Sequence, residues 1–460
     1  MDKKHYNHFK NIVGEENIYE DKAHLIAYSY DATREHFEPD AVIFPRHEED
    51  ISNILKYCNA NNIIIVPRGA GSGFTGGAIP SEGGIVLAFE RHMNKILEID
   101  MQNMVAVVQP GVINMDLQKA VEEVGLFYPP DPASQDYSTI GGNVNENAGG
   151  MRAAKYGITK DYVMAIRAVL PNGDIIKAGK RTIKDVAGYN ISGILIASEG
   201  TLAVTTEVTL KLLSKPKLTK TAMGIFPTVT EAMEAVYKTM AGGVTPVAME
   251  FLDNLTIRAV EQTYNKGLPV EAGAILVTDV DGNLENDLDF QLDLIEKIFK
   301  ENGCSEFKRA KNEAEAADLW FARRNASQSL SIYGSKKLNE DVTVPRAVLP
   351  QLLEKFYAIA DKYSVNIPCF GHTGDGNVHT NVMVDGSDPE QVKIAYQAIE
   401  EVFQATIDLG GTLSGEHGIG IAKAPYMGMA FTEEEMNLFN TIKKAFDPNN
   451  ILNPHKMGLK

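Results

Sequence analysis

The sequence predicts an α+β protein of two or three domains, and three observations carry that reading. A chain of 460 residues is too long for one core. Its first 215 or so residues alternate short apolar runs with glycine-rich turns, and beyond them amphipathic helical patterns alternate with strands. The first domain is therefore set at 1–215 and the second begins at 216.

The elements follow from local pattern. Ile51, Ile54, Leu55 and Cys58 recur at i, i+3, i+4 and i+7 behind the acidic opening Glu48, Glu49 and Asp50, which predicts a helix over 48–59. Ile63, Ile64, Ile65 and Val66 form a continuous apolar run and read as a buried strand. Further strands are expected over 84–89, 104–109, 164–170 and 202–210, and the stretch 213–218 reads as a linker. The second domain should hold helices over 229–240 and 284–302, with strands around Ile225 and over 274–279. A last helix over 432–446 stops at Asp447, Pro448, Asn449 and Asn450.

Composition removes several function classes. A hydrophobic content of 44% with 23% charged residues is that of a soluble globular protein. The net charge of −17 argues against a nucleic-acid groove, which needs clustered Lys and Arg. A small anion remains compatible, because a few local cations or a metal set the field inside a pocket. Residues 1–15 hold no apolar signal-peptide core, and no run of ~20 apolar residues crosses a bilayer. The expected location is the cytoplasm, with any membrane association coming through a partner. Cys58, Cys304 and Cys369 are far apart and read as free thiols in a reducing compartment; a four-cysteine cluster would have to lie on another chain.

The chemistry begins after the Ile63–Val66 run. Arg68, Gly69, Ala70, Gly71, Ser72 and Gly73 lead on to Phe74, Thr75, Gly76 and Gly77, so Gly71, Gly73 and Gly76 satisfy G-x-G-x-x-G. A doubly wound dinucleotide fold needs a helix to start there, but the chain continues Ala78, Ile79, Pro80, Ser81, which excludes one. Nor does the G-K-[ST] of a P-loop follow. What is left is a loop whose backbone N–H groups can nest a phosphate, or a plain glycine-rich turn. A second loop runs from Pro129, Pro130, Asp131, Pro132, Ala133 and Ser134 into Thr139, Ile140, Gly141, Gly142, Asn143, Val144, Asn145, Glu146, Asn147, Ala148, Gly149 and Gly150. It reads as a loop beside a strand, exposing backbone groups that require a polar ligand where buried. A third, Ser198, Glu199, Gly200 and Thr201, introduces the strand over 202–210.

Another constellation lies in the second half. Three of the ten histidines fall in two glycine-framed stretches, one holding His372, Gly374, Asp375, Gly376 and His379, the other Gly415, Glu416, His417 and Gly418. Gly374, Asp375 and Gly376 signal a turn, so His372 and His379 should face each other at a hairpin mouth, with Asn381 on the face of His379. Two imidazoles and a carboxylate are a common three-ligand set for a divalent ion with a position left open. The glycines exclude the helical H-E-x-x-H of metalloproteases. Glu416 and His417, adjacent in extended chain, should point to opposite sides.

Taken in order, PRGAGSGFTGG, PPDPAS, TIGGNVNENAGG, YGITKD, DVAGYN and SEGTLAV resemble the FAD domain of the vanillyl-alcohol oxidase (PCMH) flavoproteins. From about residue 20 onward the chain is similar to the glycolate oxidase flavin subunit and D-lactate dehydrogenase group within it. The resemblance implies a two-subdomain PCMH-type FAD domain and an α+β cap over 216–425, with a segment over 426–460 that returns to the flavin domain. It implies that Arg68, Gly69, Ala70, Gly71, Ser72 and Gly73 hold the FAD pyrophosphate, with Ser134, Gly142, Asn143 and Gly149 nearby. Glu199 and Val204 would lie along the adenine–flavin path and Asn453 near the ring. Ala203 departs from the glycine of many relatives and narrows the pocket by a methyl. The first loop has no histidine, so the FAD should be noncovalent.

For the reaction, the resemblance implies metal ligation by His372, His379 and Glu416, with zinc ahead of manganese or iron, and a substrate contact at Asn381. It makes His417 the base and Arg323 the residue gripping the substrate carboxylate, with Arg324 its exposed neighbour. The expected activity is oxidation of a small D-2-hydroxy acid, D-lactate or glycolate, to the 2-oxo acid by hydride transfer to flavin. An imidazole, with an ordinary pKa of about 6.5, accepts the hydroxyl proton near neutrality. Electrons should leave to an iron–sulfur subunit, an electron-transferring flavoprotein or a quinone, and the chain is expected to be a homo-oligomer. The alternatives are D-2-hydroxyglutarate as substrate, disfavoured because Lys336 and Lys337 are shifted from the lysine of such relatives, and a non-catalytic electron-transfer flavoprotein subunit. A zinc hydrolase without flavin is a third.

Overall fold

The expected helix after the N-terminal strands forms as Glu48–Asn61, in a computed structural model that describes residues 1–460. The His47 side chain caps it by accepting from the Asp50 N–H, and it ends where Asn62 turns left-handed at φ 51°. Ile51, Ile54, Leu55 and Cys58 make its buried face, as their spacing requires. Two compact units are present: residues 1–149, 157–215 and 416–460 make the first, and 150–156 with 216–415 the second.

In the first unit, β1 (Ile18–Tyr19), β2 (Ala41–Ile43), β3 (Ile65–Arg68) and β4 (Ile85–Ala88) form a sheet of order β1-β2-β4-β3. Its three later strands are parallel. The apolar run thus supplies a strand two residues later than its first isoleucine. A five-stranded antiparallel sheet of order β5-β6-β10-β8-β9 contains β5 (Ile96–Asp100), β6 (Val105–Val108), β8 (Val163–Val169), β9 (Ile175–Gly179) and β10 (Val204–Lys211). The residues expected to be a linker are largely ordered. Leu213–Ser214 (β11) pairs with Leu126–Phe127 (β7), so only 215–217 separate it from the next strand.

One loop expectation is overturned. Ile140–Glu146, read as loop because of its glycines and amides, is a short helix. Thr139 caps it by accepting from the Gly142 N–H, and Asn147 ends it at φ 55°. The glycines serve contact instead: a Cβ on Gly141 would lie 2.6 Å from the Pro110 ring.

The last helix, Glu433–Phe446, opens with a Thr432–Glu435 capping box. Beyond it, Ile451 accepts from the Ile65 N–H at 2.8 Å and the Asn453 N–H donates to Ile65 at 2.8 Å, so the tail lies along β3, an edge strand. Lys443, 2% exposed, donates to the carbonyls of Thr201 and Leu452 and to the Asp447 carboxylate at 2.5 Å. Asp447→Ala strands that ammonium, and we expect a loss of about 3–5 kcal/mol in a denaturant titration of the flavin-free protein, with Lys443→Met costing less.

The second unit is built on a seven-stranded antiparallel sheet of order β15-β12-β14-β13-β17-β18-β16. Its strands are β12 (Leu218–Phe226), β13 (Ala248–Asp253), β14 (Ala274–Gly282), β15 (Glu306–Arg309), β16 (Lys336–Thr343), β17 (Cys369–His372) and β18 (Asn377–Val384). Helices Val229–Ala241 and Glu285–Glu301 match their expected spans within a residue or two. Residues 150–156 join this unit because Lys155 and Tyr156 bond Asp281. Residues 416–425, grouped with the cap on sequence, lie in the first unit, where Ile421 and Ala422 donate to the Thr75 carbonyl. No helix is long and apolar enough to cross a membrane.

Candidate active site

In the first unit, β3 delivers Arg68 to the start of the glycine loop. The guanidinium is buried and turns back to the carbonyls of Tyr30 (2.7 Å) and Ala78 (3.2 Å), above the Tyr28 ring. The loop closes tightly around it. Gly71 has φ 68°, and a Cβ there would lie 2.0 Å from an Arg68 terminal nitrogen; one on Gly69 would lie 2.2 Å from the Thr139 hydroxyl. At Gly73 a Cβ would meet nothing within 4 Å.

That open side is a cleft lined by residues 69–74 and by Ser134, Gly142, Asn143 and Gly149, with Glu416 and His417 on its lining. A second, narrower cavity shares Gly69, Ala78, Thr139, Gly142 and Glu146 with it and extends past Glu199 and Ala203. The Ser138 hydroxyl and the Asn143 amide nitrogen are buried on this wall with no hydrogen-bond partner. Orphaned donors beside a glycine-lined cleft suit a ligand rich in acceptors, and the residues present fit the phosphates and flavin of FAD.

Glu199 and Asn453 brace the cleft. The Glu199 carboxylate accepts from the N–H groups of Ile419 and Gly420, both at 2.7 Å. Burial pushes its pKa up while these two donors pull it back. Asn453 donates to the carbonyls of Gly77 and Glu199, and its Oδ1 is buried without a partner. Val204, expected along the flavin path, is instead buried in the apolar cluster that includes Ile65 of β3 and lines neither cavity. Thr75 donates to the His417 carbonyl, the Phe74 ring lies 5.2 Å from the His417 ring, and Gly418 turns the chain at φ 84°.

The second unit carries the histidine pair. β17 and β18 run antiparallel with Phe370 opposite His379, so the hairpin expected from Gly374, Asp375 and Gly376 forms and the two imidazoles meet. Their rings sit edge to face, 5.0 Å between centroids, with the Nε2 atoms 3.2 Å apart. Two ligands at ~2.05 Å on a tetrahedral ion are separated by ~3.3 Å, so the spacing suits a shared metal. His372 and His379 are both buried, and the carboxylate expected to join them, Glu416, begins the last segment of the first unit. Glu416 directly follows Gly415, whose N–H donates to Asp341 (2.9 Å), as does the Ser414 hydroxyl (3.1 Å). The donor set fits a divalent ion.

Glu250, on β13 opposite His372, escaped the sequence reading. It is fully buried, one oxygen 2.7 Å from His372 Nδ1 and the other accepting from Arg323 Nε at 2.6 Å. Burial alone would raise its pKa, but the charges and hydrogen bonds of His372 and Arg323 hold it below the ordinary carboxylate value. Arg323 sits on the helix Phe321–Ser329 with its guanidinium over the Phe370 ring, whereas Arg324 is exposed and donates to the Ala317 carbonyl. Asn381, on β18, donates to the carbonyls of Pro368 and His379, and its buried Oδ1 has no partner. The sequence signal for Glu250 was a lone carboxylate in the otherwise apolar run Val247–Leu252.

Residues 39–179 match the family model of an FAD binding domain, and residues 215–457 that of FAD linked oxidases, C-terminal domain. The chain belongs to the FAD-linked oxidases. This oxidase is 44% identical over 98% of its length to the glycolate oxidase subunit GlcD of Bacillus subtilis (strain 168), covering 95% of that protein. It is 35% identical to GlcD of Escherichia coli (strain K12), over 97% of this chain and 89% of the relative. It is also 35% identical to the D-lactate dehydrogenase of Anaerostipes hadrus, over 98% and 94%. Among solved structures the FAD-linked oxidase resembles substrate-bound p-cresol methylhydroxylase, with TM-score 0.83 and 18% identity over 99% of this chain and 96% of that one. This likeness bears out the α+β, PCMH-type fold.

Proposed function

We propose that this FAD-linked oxidase oxidises a small D-2-hydroxy acid, D-lactate or glycolate, to its 2-oxo acid. The observation that carries the reading is Glu250. It ties the arginine suited to a carboxylate to a histidine of the three-ligand metal group, so one bidentate substrate would be read by both. The relatives named glycolate oxidase subunit and D-lactate dehydrogenase support the same substrate class.

The backbone N–H groups of Gly69, Ala70, Gly71, Ser72 and Gly73 would take the pyrophosphate, with Arg68 bracing the loop from behind. Ser134, Gly142, Asn143 and Gly149 would line the opposite wall, with Glu199 and Asn453 along the ring system. No histidine stands in the first loop, so the flavin is held without a covalent bond. His372, His379 and Glu416 would hold the ion, zinc by its donor set. Bound FAD would supply a two-electron acceptor for the hydride leaving the α-carbon, and a bound ion would polarise the hydroxyl oxygen.

This chain's residues do the rest. Arg323, its Nε engaged by Glu250, offers its terminal nitrogens to the substrate carboxylate. Asn381, two residues beyond His379 on β18, would line the substrate site. His417 takes the hydroxyl proton as the C–H bond breaks and the C=O forms. Electrons then pass to a partner, in keeping with relatives named as subunits.

The test is anaerobic mixing of the FAD-loaded protein with glycolate, D- and L-lactate and D-2-hydroxyglutarate. D-lactate or glycolate should bleach the flavin and L-lactate should not. Bleaching by D-2-hydroxyglutarate alone would move the substrate to a dicarboxylate, and a flavin reduced by none of them would point to an electron-transfer subunit.

A further inference from the structure

We propose that Glu250 is a shared anchor that sets the metal site and the carboxylate site together, so that neither is built without the other. The proposal rests on the function just described. The carboxylate has no exposed surface, and each oxygen is committed to a different side chain, one to the His372 ring and the other to the Arg323 guanidinium. A buried carboxylate persists only when its charge is compensated and its oxygens are bonded, so the two partners are conditions of its presence.

The consequences for each partner are specific. By accepting from His372 Nδ1, Glu250 fixes the tautomer in which Nε2 carries a lone pair, and Nε2 is the atom facing His379. By accepting from Arg323 Nε, it holds the guanidinium plane over Phe370 and leaves the terminal nitrogens for a ligand. The three residues come from β13, β17 and the helix Phe321–Ser329, all within the second unit, so the arrangement is internal to one folded body.

Glutamine at this position keeps the shape but not the function. With its amide toward Arg323 it sets donor against donor, and with its amide toward His372 it selects the tautomer with Nδ1 bare and Nε2 protonated while Arg323 keeps only a neutral acceptor. Glu250→Gln should therefore weaken two unrelated measurements. With FAD bound, Zn²⁺ affinity, read by competition with a chelator, should fall about 10–100-fold. In metal-free protein, propionate has a carboxylate but no hydroxyl and reports Arg323 alone. Its perturbation of the flavin absorbance should need a several-fold higher concentration in the variant than in the wild type.

A variant that loses Zn²⁺ but binds propionate normally would overturn the shared anchor, as would the reverse loss or no loss. A His372→Ala control separates the two levels: if it keeps wild-type Zn²⁺ affinity, the metal reading under the proposed function fails instead. Should Glu250→Gln not accumulate as a folded flavoprotein, ¹⁵N NMR of the metal-free wild type still decides. His372 should be protonated at Nδ1 and bare at Nε2, and the opposite tautomer would overturn the proposal.

Discussion

His417→Asn should keep FAD and metal in place and slow anaerobic reduction of the flavin by substrate about 10²–10⁴-fold. The expectation rests on how the chain presents two neighbours. Up to Gly415 it is pinned by Asp341, which fixes the backbone immediately ahead of Glu416. One residue later it is held by Thr75 at the His417 carbonyl and by Glu199 at the next two N–H groups, with the turn at Gly418 between. The backbone on both sides of His417 is held, so asparagine can occupy the same place in the chain. Glu416→Gln should do the opposite: metal content falls, because a neutral amide is a poor ligand for a hard ion, while FAD stays. Metal analysis of both variants beside stopped-flow flavin reduction separates the roles. Loss of metal from His417→Asn with retention in Glu416→Gln would invert the assignment, and near-normal rates in both would make the pair structural.

Gly71→Val should give a folded but colourless protein. A β-branched residue at φ 68° is strained by about 1–3 kcal/mol, and its Cβ would drive the Arg68 guanidinium off the carbonyls of Tyr30 and Ala78. The loop then loses the brace that aims its N–H groups at the ligand, and flavin released by acid precipitation should drop to a few per cent of the wild type. Far-ultraviolet circular dichroism should change little, since the strands on either side stay paired. Gly73→Ala is the contrast. Its Cβ meets no protein atom, so flavin-free stability should be unchanged and any loss of FAD reports crowding in the cleft itself. Wild-type flavin content in Gly71→Val would remove this loop from the binding site.

What the sequence made legible was local. The helix Glu48–Asn61 announced its buried face through spacing, and the histidine hairpin announced its turn through Gly374, Asp375 and Gly376. The Ile140–Glu146 helix was hidden because glycine and asparagine are poor helix formers, and only Thr139 and Asn147 at its ends mark it. Glu250 was hidden for a different reason. Its partners lie 73 and 122 residues away, and nothing in the neighbourhood of a single carboxylate tells which distant side chains will meet it.

The tail that lies along β3 has a bearing on how the protein is born. Asn453 bonds the Gly77 carbonyl across 376 residues of chain, and the same short segment covers the outer edge of the strand that launches the flavin loop. At ~5–20 residues per second a ribosome needs roughly 20–75 s to make what lies between, and for that interval the nascent first unit has an uncapped strand. The second unit is nearly contiguous in sequence and can fold in the meantime. Flavin capture should therefore follow synthesis of residues 416–460, and a chain stalled before them would carry an open β-edge.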